Sequence, residues 1–181
     1  MNGDEPDPPL VFDATCLSHF CRAERFDVLR DLLLGSTCLT THVVREEIRQ
    51  GLTKYPTLRS ALDADWLGVA RLDSFEELQC FARWVKRIGS SDRDRGEASV
   101  FSAAELSGGI AITDDREAVQ VGRAYGLKVH GTIWLLANAR RDGKLTDVSA
   151  GNLIDALRAT SMRLPCSGST FGAYIRSFDP R

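Results

Sequence analysis

The sequence predicts an α/β fold, a three-layer α/β/α sandwich around a parallel sheet, and two observations predict it. Short apolar runs with the length of buried strands alternate with longer segments of helical spacing along nearly the whole chain. Parallel strands need crossover connections, and a helix after each strand supplies them. At 181 residues, of which 43% are hydrophobic and 27% charged, the chain is long enough for one sizeable core.

The first half of the chain contains three strand candidates, each followed by a helix. The strand candidates are PLVFDA, STCLTT and WLGVARL. The spacing predicts one helix over SHFCRAERFDVLRDLLLG, ending at Gly35, and a second over HVVREEIRQG, capped by Thr40 or Thr41 and followed by Gly51. Further helices are predicted over TLRSALDAD and SFEELQCFARWVKRIG.

The second half continues the alternation. A polar turn precedes a helix predicted from about Gly96 to Leu106, and the strand IAIT leads into the helix REAVQVGRAYG. The brief strand LKVHG is followed by two helices over TIWLLANARRDGK and VSAGNLIDALRATS. No repeat or linker interrupts this pattern, so we expect one domain over residues 10–164.

Composition sets the expected surroundings. Residues 1–9 are acidic and Pro-rich and lack the basic start and apolar run of a signal peptide. We expect a flexible N-terminal tail there and a C-terminal tail over residues 165–181. No segment has the length and apolarity of a membrane span, which makes the cytoplasm the expected location. The five cysteines form no C-x-x-C pair and suit reduced core thiols. The net charge of −2 provides no general basic field for nucleic acid, although a metal site recruits phosphate locally.

Acidic residues stand at four positions along the chain, three of them at or just after strand ends and one near the start of a helix. Taken singly, each is explained as a helix cap, a turn former or a partner of a helix dipole. In this interpretation Asp94 caps a helix and Glu97 closes the capping box. The positions are Asp13, the pair Glu46 and Glu47, the pair Asp94 and Glu97, and the pair Asp114 and Asp115.

The combination of these positions indicates a site. Ligands of parallel sheets gather outside the carboxyl ends of the strands, so the four positions are expected to converge at one edge. Clustered carboxylates raise one another's pKa and destabilise a fold unless a cation lies among them. Ligands that are all oxygen suit Mg²⁺ or Mn²⁺, which stabilise phosphoryl oxygens and activate a water nucleophile.

In their order and spacing, these segments resemble the PIN-domain ribonucleases. The segments are VFDAT, VVREEI, DRGEA and ITDDREA, followed by GLKVHGTIWLLANARRDGKL. The likeness covers residues 10–160 and is greatest to small prokaryotic PIN proteins, including the toxins of toxin–antitoxin pairs. It implies a PIN-like sheet and an acidic Mg²⁺ or Mn²⁺ site at which water attacks an RNA phosphodiester. It also makes an antitoxin protein and a second copy of the chain candidate partners.

The resemblance carries roles over to particular residues. The predicted catalytic residues and metal ligands are Asp13, Glu47, Glu97 and Asp115. Asp94 and Asp114 are neighbouring metal ligand candidates, and Glu46 is the alternative to Glu47. The predicted substrate contacts are Arg116, Arg95, Thr15 and Thr113.

The roles within the doubled acids stay open at this point. Asp115 fits the family's T-x-D pattern that begins at Thr113, and Asp114 is a near neighbour that shares the work. One of the two is expected to face the cation and the other to cap the following helix. The two arginines are equally well explained as counter-charges for nearby acids. The hydroxyls of Thr15 and Thr113 are suited to hold a carboxylate or a metal-bound water.

Other classes of function fit the sequence less well. A non-catalytic PIN-like module that binds RNA or protein is the main alternative, but it has no need of clustered carboxylates. A phosphatase of the haloacid-dehalogenase type requires a second aspartate where this chain has Thr15. A dinucleotide-binding enzyme is disfavoured because no G-x-G-x-x-G follows the first strand.

Overall fold

The computed structural model of the protein describes residues 7–89 and 91–177, which contain one five-stranded sheet. Every neighbouring pair of strands is parallel, and helices flank the sheet, so the predicted α/β/α sandwich is confirmed. The strands are β1 (Leu10–Phe12), β2 (Cys38–Thr41), β3 (Leu67–Ala70), β4 (Ile110–Ile112) and β5 (Val129–His130).

Helices make up most of the remaining structure, and α6 packs along β1, β2 and β4. The helices of the first half are α1 (Ala14–Arg22), α2 (Phe26–Leu32), α3 (His42–Gly51), α4 (Arg59–Leu62) and α5 (Phe75–Ile88). Those of the second half are α6 (Asp92–Ser107), α7 (Arg116–Ala124), α8 (Thr132–Arg141), α9 (Asp147–Ala159) and α10 (Phe171–Arg176).

The order of the strands creates a crevice beside the first strand. The sheet runs β3-β2-β1-β4-β5, so the chain builds outward from β1 to β3 and then returns to place β4 on the other side of β1. Connections leave in opposite directions at this point, and ligands of open parallel sheets bind in the crevice outside the carboxyl ends of the strands there. Residues that directly follow β1 and β4 therefore line the position where a ligand is expected.

The register of the central strands aligns their ends. Phe12 lies opposite Ile112, and the backbone N–H of Asp13 donates to the Ile112 carbonyl at 3.1 Å. Asp13 and Thr113, the next residue of each strand, are consequently neighbours. The residues of β1 and β4 are all buried, as expected for central parallel strands covered on both faces. A rigid apolar base thus holds the polar residues at the edge.

One predicted helix is divided in two. The helix expected from Ser18 to Gly35 ends at Arg22, and α2 begins at Phe26. Glu24, between them, has a left-handed backbone conformation (φ 55°) that a continuous helix does not contain. Apolar spacing runs through both helices, so the sequence pattern does not reveal the break.

The helix predicted from Gly96 begins four residues earlier, at Asp92. The expectation that Asp94 caps it with Glu97 closing the box is wrong. Ser91 is the cap, its hydroxyl accepts from the Asp94 N–H, and the Asp94 carboxylate accepts from the Ser91 N–H. The S-x-x-D spacing of Ser91 and Asp94 satisfies the first N–H groups of the helix and leaves Glu97 one turn inside it.

The two predicted tails differ in what the structure describes of them. Residues 1–6 lie outside the described residues, whereas the Pro9 carbonyl accepts from the Ile110 N–H at 2.8 Å and so joins β4. The segment assigned to the C-terminal tail is folded up to residue 177. It contains α10, and Phe171 is fully buried in the core. The sequence pattern does not reveal this helix, because six residues are too few to show a helical period.

Two other expectations concern the chemistry of the interior and the membrane. All five cysteines are buried free thiols, as predicted. Among the residues that the structure describes, no helix combines the length and the apolarity needed to cross a bilayer.

Candidate active site

Asp13 is the buried centre of the site. It ends β1 and caps α1, since its Oδ1 accepts from the Cys16 N–H at 3.0 Å. Its Oδ2 accepts from the Thr113 hydroxyl at 2.7 Å, and only 3% of the residue is exposed. Burial, opposed by these two hydrogen bonds and reinforced by the charges of Asp114 and Glu47, raises the pKa of Asp13 to about 7. The carboxylate is therefore costly to ionise in the folded protein.

Thr113 connects the ends of the two central strands. Its hydroxyl donates to Asp13 and accepts from the Asp115 N–H at 3.2 Å. Thr113 is completely buried, so this hydroxyl holds neighbouring parts of the chain and is not exposed to a substrate. The hydroxyl of Thr113 thus contacts a carboxylate, which is one of the contacts that the sequence offered for it, and its burial disfavours the predicted contact with substrate.

Asp114 and Asp115 point in different directions. Asp115 caps α7, because its Oδ1 accepts from the N–H groups of Glu117 and Ala118 at 2.9 and 3.0 Å. Asp114 instead accepts at both oxygens from Thr132 and is a charged neighbour of Asp13. The sequence left open which of the two aspartates caps the helix, and the structure assigns the cap to Asp115. Burial raises the pKa of Asp114 despite the Thr132 hydrogen bonds.

Glu47 and Glu97 meet Asp13 at a small cleft. The cleft is lined by Asp13, Ala14, Thr15, Glu47, Gly96 and Glu97. Glu47 projects from α3, and a Cβ built on Gly96 would lie 2.8 Å from its Oε2. Glycine in α6 therefore makes room for the Glu47 carboxylate. Glu97, on the same helix, is 8% exposed.

The other candidate residues lie around this cleft in different settings. Glu46 is exposed, pairs with Arg49 on the surface of α3 and is not among the residues that line the cleft. Asp94 closes the capping box of α6. Arg95 and Arg116 are exposed at the first turns of α6 and α7, and Thr15 is half-buried in the first turn of α1.

The carboxylates are neighbours without forming a closed cage. Among the described residues, no three His, Cys, Asp or Glu side chains are arranged as a ready metal-binding group. Mg²⁺ commonly binds through one or two carboxylates and completes its shell with waters and substrate phosphates. The donors here are carboxylate oxygens, and the nearby Cys16 thiol stays protonated because burial raises its pKa. The residues therefore fit a hard, hydrated cation better than a thiolate-binding metal.

Two residues of the site were missed in the sequence. Thr132 begins α8, and Gly131 lies directly before it. The Thr132 N–H and hydroxyl both donate to Asp114, and a Cβ on Gly131 would stand 2.5 Å from the Asp114 Oδ1. The pair follows β5 as Gly-Thr in the segment VHGTIW, which is the available signal. Nothing local in that segment indicates the carboxylate that it receives.

The five-stranded parallel sheet carries acidic residues at the crevice beside its first strand. A family model described as a PIN domain matches residues 9–171. The chain belongs to the PIN-domain family. No curated protein matches the sequence.

A solved structure supports the same fold. The crystal structure of PAE2754 from Pyrobaculum aerophilum superimposes with a TM-score of 0.55 at 18% sequence identity. The match covers 75% of this chain and 98% of that chain. At this identity the likeness concerns the fold alone.

Proposed function

We propose that the protein is a metal-dependent endoribonuclease that hydrolyses RNA phosphodiester bonds at the crevice beside β1. One observation carries the proposal. Asp13 is buried at the strand end, and its charged neighbours are the two carboxylates of Asp114 and Glu47. Such an arrangement costs stability unless a cation offsets it, and active sites commonly retain costs of this kind. Membership of a family with a nuclease-type fold supports the assignment.

The residues suited to hold Mg²⁺ or Mn²⁺ are Asp13, Glu47 and Asp114, with Glu97 lining the same cleft. A bound ion of this type supplies Lewis-acid stabilisation of a phosphoryl oxygen and acidifies a coordinated water. The chain keeps Asp13 oriented through the Cys16 N–H and the Thr113 hydroxyl. These two hydrogen bonds limit the motion of the Asp13 carboxylate, and its burial excludes bulk water from it.

The exposed groups around the cleft are suited to bind the RNA backbone. Arg95 and Arg116 place two cations at first turns of helices that begin near the crevice, and phosphate contacts by arginine are charge-assisted. Thr15, in the first turn of α1, lines the cleft and offers a hydroxyl to a phosphate oxygen. In this assignment the arginines provide affinity and the carboxylates provide catalysis.

The test is cleavage of one RNA by matched variants under saturating Mn²⁺, with EDTA as the metal-free arm. Asp13→Asn should lower cleavage by orders of magnitude and leave RNA binding intact, because it removes negative charge near the phosphates. Asp27→Asn is the control, since it makes the same chemical change at an exposed position of α2. Undiminished cleavage by Asp13→Asn refutes the mechanism. RNA binding by the wild type with no cleavage under any metal favours the non-catalytic module.

Three further substitutions separate the remaining roles. Asp114→Asn should reduce cleavage more than Asp115→Asn, because Asp114 is the charged neighbour of Asp13. Arg116→Ala should weaken RNA binding and reduce its salt dependence by about one phosphate contact. A larger effect at Asp115 would exchange the roles of the two aspartates.

The resemblance to toxins of toxin–antitoxin pairs supports a cellular role that is tested separately. Induced expression of the wild type should arrest growth, and Asp13→Asn should not. Normal growth during expression of an active ribonuclease would refute the toxin role and leave the enzymatic proposal standing.

A further inference from the structure

Thr132 donates hydrogen bonds to both oxygens of the Asp114 carboxylate. Its backbone N–H donates to Oδ1 at 2.9 Å and its hydroxyl donates to Oδ2 at 2.6 Å. Thr132 is completely buried and is the first residue of α8, so its N–H belongs to the group that a helix leaves without intrahelical partners. One residue thus determines where each oxygen of Asp114 lies.

Gly131 and Cys16 adjoin this contact between Thr132 and Asp114. Gly131 leaves room for the Asp114 carboxylate, since a Cβ at this position would lie 2.5 Å from the Asp114 Oδ1. The Cys16 Sγ lies 3.4 Å from the Thr132 Oγ1 on another side. A threonine hydroxyl has a single proton, and the shorter contact to the carboxylate takes it. The hydroxyl is therefore committed to Asp114.

The contact matters for the site because Asp114 is a charged neighbour of Asp13. An aspartate side chain otherwise turns about two dihedral angles, and each turn would change the distance between the two carboxylates. Thr113, directly after β4, orients Asp13, and Thr132, shortly after β5, orients Asp114. Two threonine hydroxyls therefore hold the two carboxylates in place.

We propose that Thr132 is a positioning residue, which fixes the Asp114 carboxylate as a ligand of the cation. The inference rests on the proposed function, in that it concerns the metal site of the same crevice. Residues that orient a metal ligand typically change metal affinity by about 10–100-fold when they are replaced. Metal binding without RNA is therefore the direct measurement.

The experiment compares Mn²⁺ binding by isothermal titration calorimetry in the absence of RNA. Thr132→Val keeps the shape and the N–H but removes the hydroxyl, and it should weaken binding by about tenfold or more. Thr132→Ser keeps both donors and should restore binding to near the wild-type value. Thr40→Val is the matched control, because Thr40 is equally buried but its hydroxyl donates to the Phe12 carbonyl.

Gly131→Ala provides a second variant in case Thr132→Val does not fold. Gly131 has φ −108°, which alanine adopts without strain, and the added methyl would displace Asp114 while Thr132 remains. Its Mn²⁺ affinity should fall to a similar extent. At limiting Mn²⁺ RNA cleavage should fall with the affinity, whereas the KM for RNA should stay unchanged.

The outcomes distinguish the inference from the proposed function. Wild-type Mn²⁺ affinity in Thr132→Val and Gly131→Ala overturns the positioning role even if the protein cleaves RNA. Loss in Thr132→Val without rescue by Thr132→Ser also overturns it. Binding that depends on Thr132 in a protein that cleaves no RNA upholds the positioning role and refutes the ribonuclease. Absence of Mn²⁺ binding by the wild type overturns both.

Discussion

Replacement of Asp13 by asparagine should stabilise the metal-free protein, and the gain should depend on pH. The pKa of Asp13 is about 7 in the folded protein and 3.8 in its ordinary state. With a folded pKa above the unfolded one, the folded protein holds a proton that the unfolded chain releases between these values. The contribution of Asp13 is thus most favourable below pH 3.8, and it is lost as the pH rises through 7.

The magnitude follows from the size of the shift. A difference of about three pKa units corresponds to a cost of about 4 kcal/mol in the free energy of folding at a pH above both values. This is the upper limit of the gain, because asparagine makes poorer hydrogen bonds than the carboxylate at this position. Its amide oxygen can still accept from the Cys16 N–H, but its NH₂ group faces the Thr113 hydroxyl, which must rotate. Loss of the better hydrogen bond offsets about 1–2 kcal/mol. We expect a net gain of about 2–3 kcal/mol at pH 8, or roughly 5–10 °C in Tm.

The assay is urea unfolding followed by circular dichroism at pH 4, 6 and 8 with EDTA present. The variant is compared with the wild type at each pH, so contributions from other titrating groups cancel. Asp115→Asn is the control and should show a small change of opposite sign, because an ionised cap favours the N-terminus of α7. A gain of equal size at pH 4 and pH 8 would refute the reasoning. When Mn²⁺ replaces EDTA in the assay, the ion should stabilise the wild type more than Asp13→Asn.

Three further predictions concern neighbouring parts of the structure. Gly96→Ala should stabilise α6 by about 1 kcal/mol, yet reduce Mn²⁺-dependent cleavage because the new methyl displaces Glu47; unchanged cleavage would contradict the placement of Glu47. Glu105→Ala should cost about 1–3 kcal/mol in urea unfolding, since it leaves the buried Trp84 indole N–H without its acceptor at 2.7 Å. Burial and Arg22 lower the pKa of His19 to about 4, so stability should decline as the pH falls from 6.5 towards 4. Replacement of that histidine by glutamine should flatten the decline, and an identical acid profile would contradict its cause.

Much of the fold could be predicted because its signals are local. The short apolar runs correspond to β1, β2 and β4, whose residues are buried except for the half-buried Leu39, and the crossover rule then requires parallel strands. Thr41 caps α3 as the sequence allows, because a cap depends on hydroxyl chemistry within three residues. The break at Glu24 and the short α10 were missed, since a single left-handed residue or a six-residue helix leaves no periodic pattern.

The site divides in the same way. The sequence by itself determined which acidic residues follow the strands, because the residue that comes next in the chain necessarily lies at the end of its strand. Only the tertiary structure decided which member of each pair faces inward. Asp115 caps α7 through bonds to residues two and three positions along the chain, whereas Asp114 is held by Thr132, eighteen positions away. The register of β4 against β5 creates that second contact, and a pairing between distant strands leaves no mark in either segment alone.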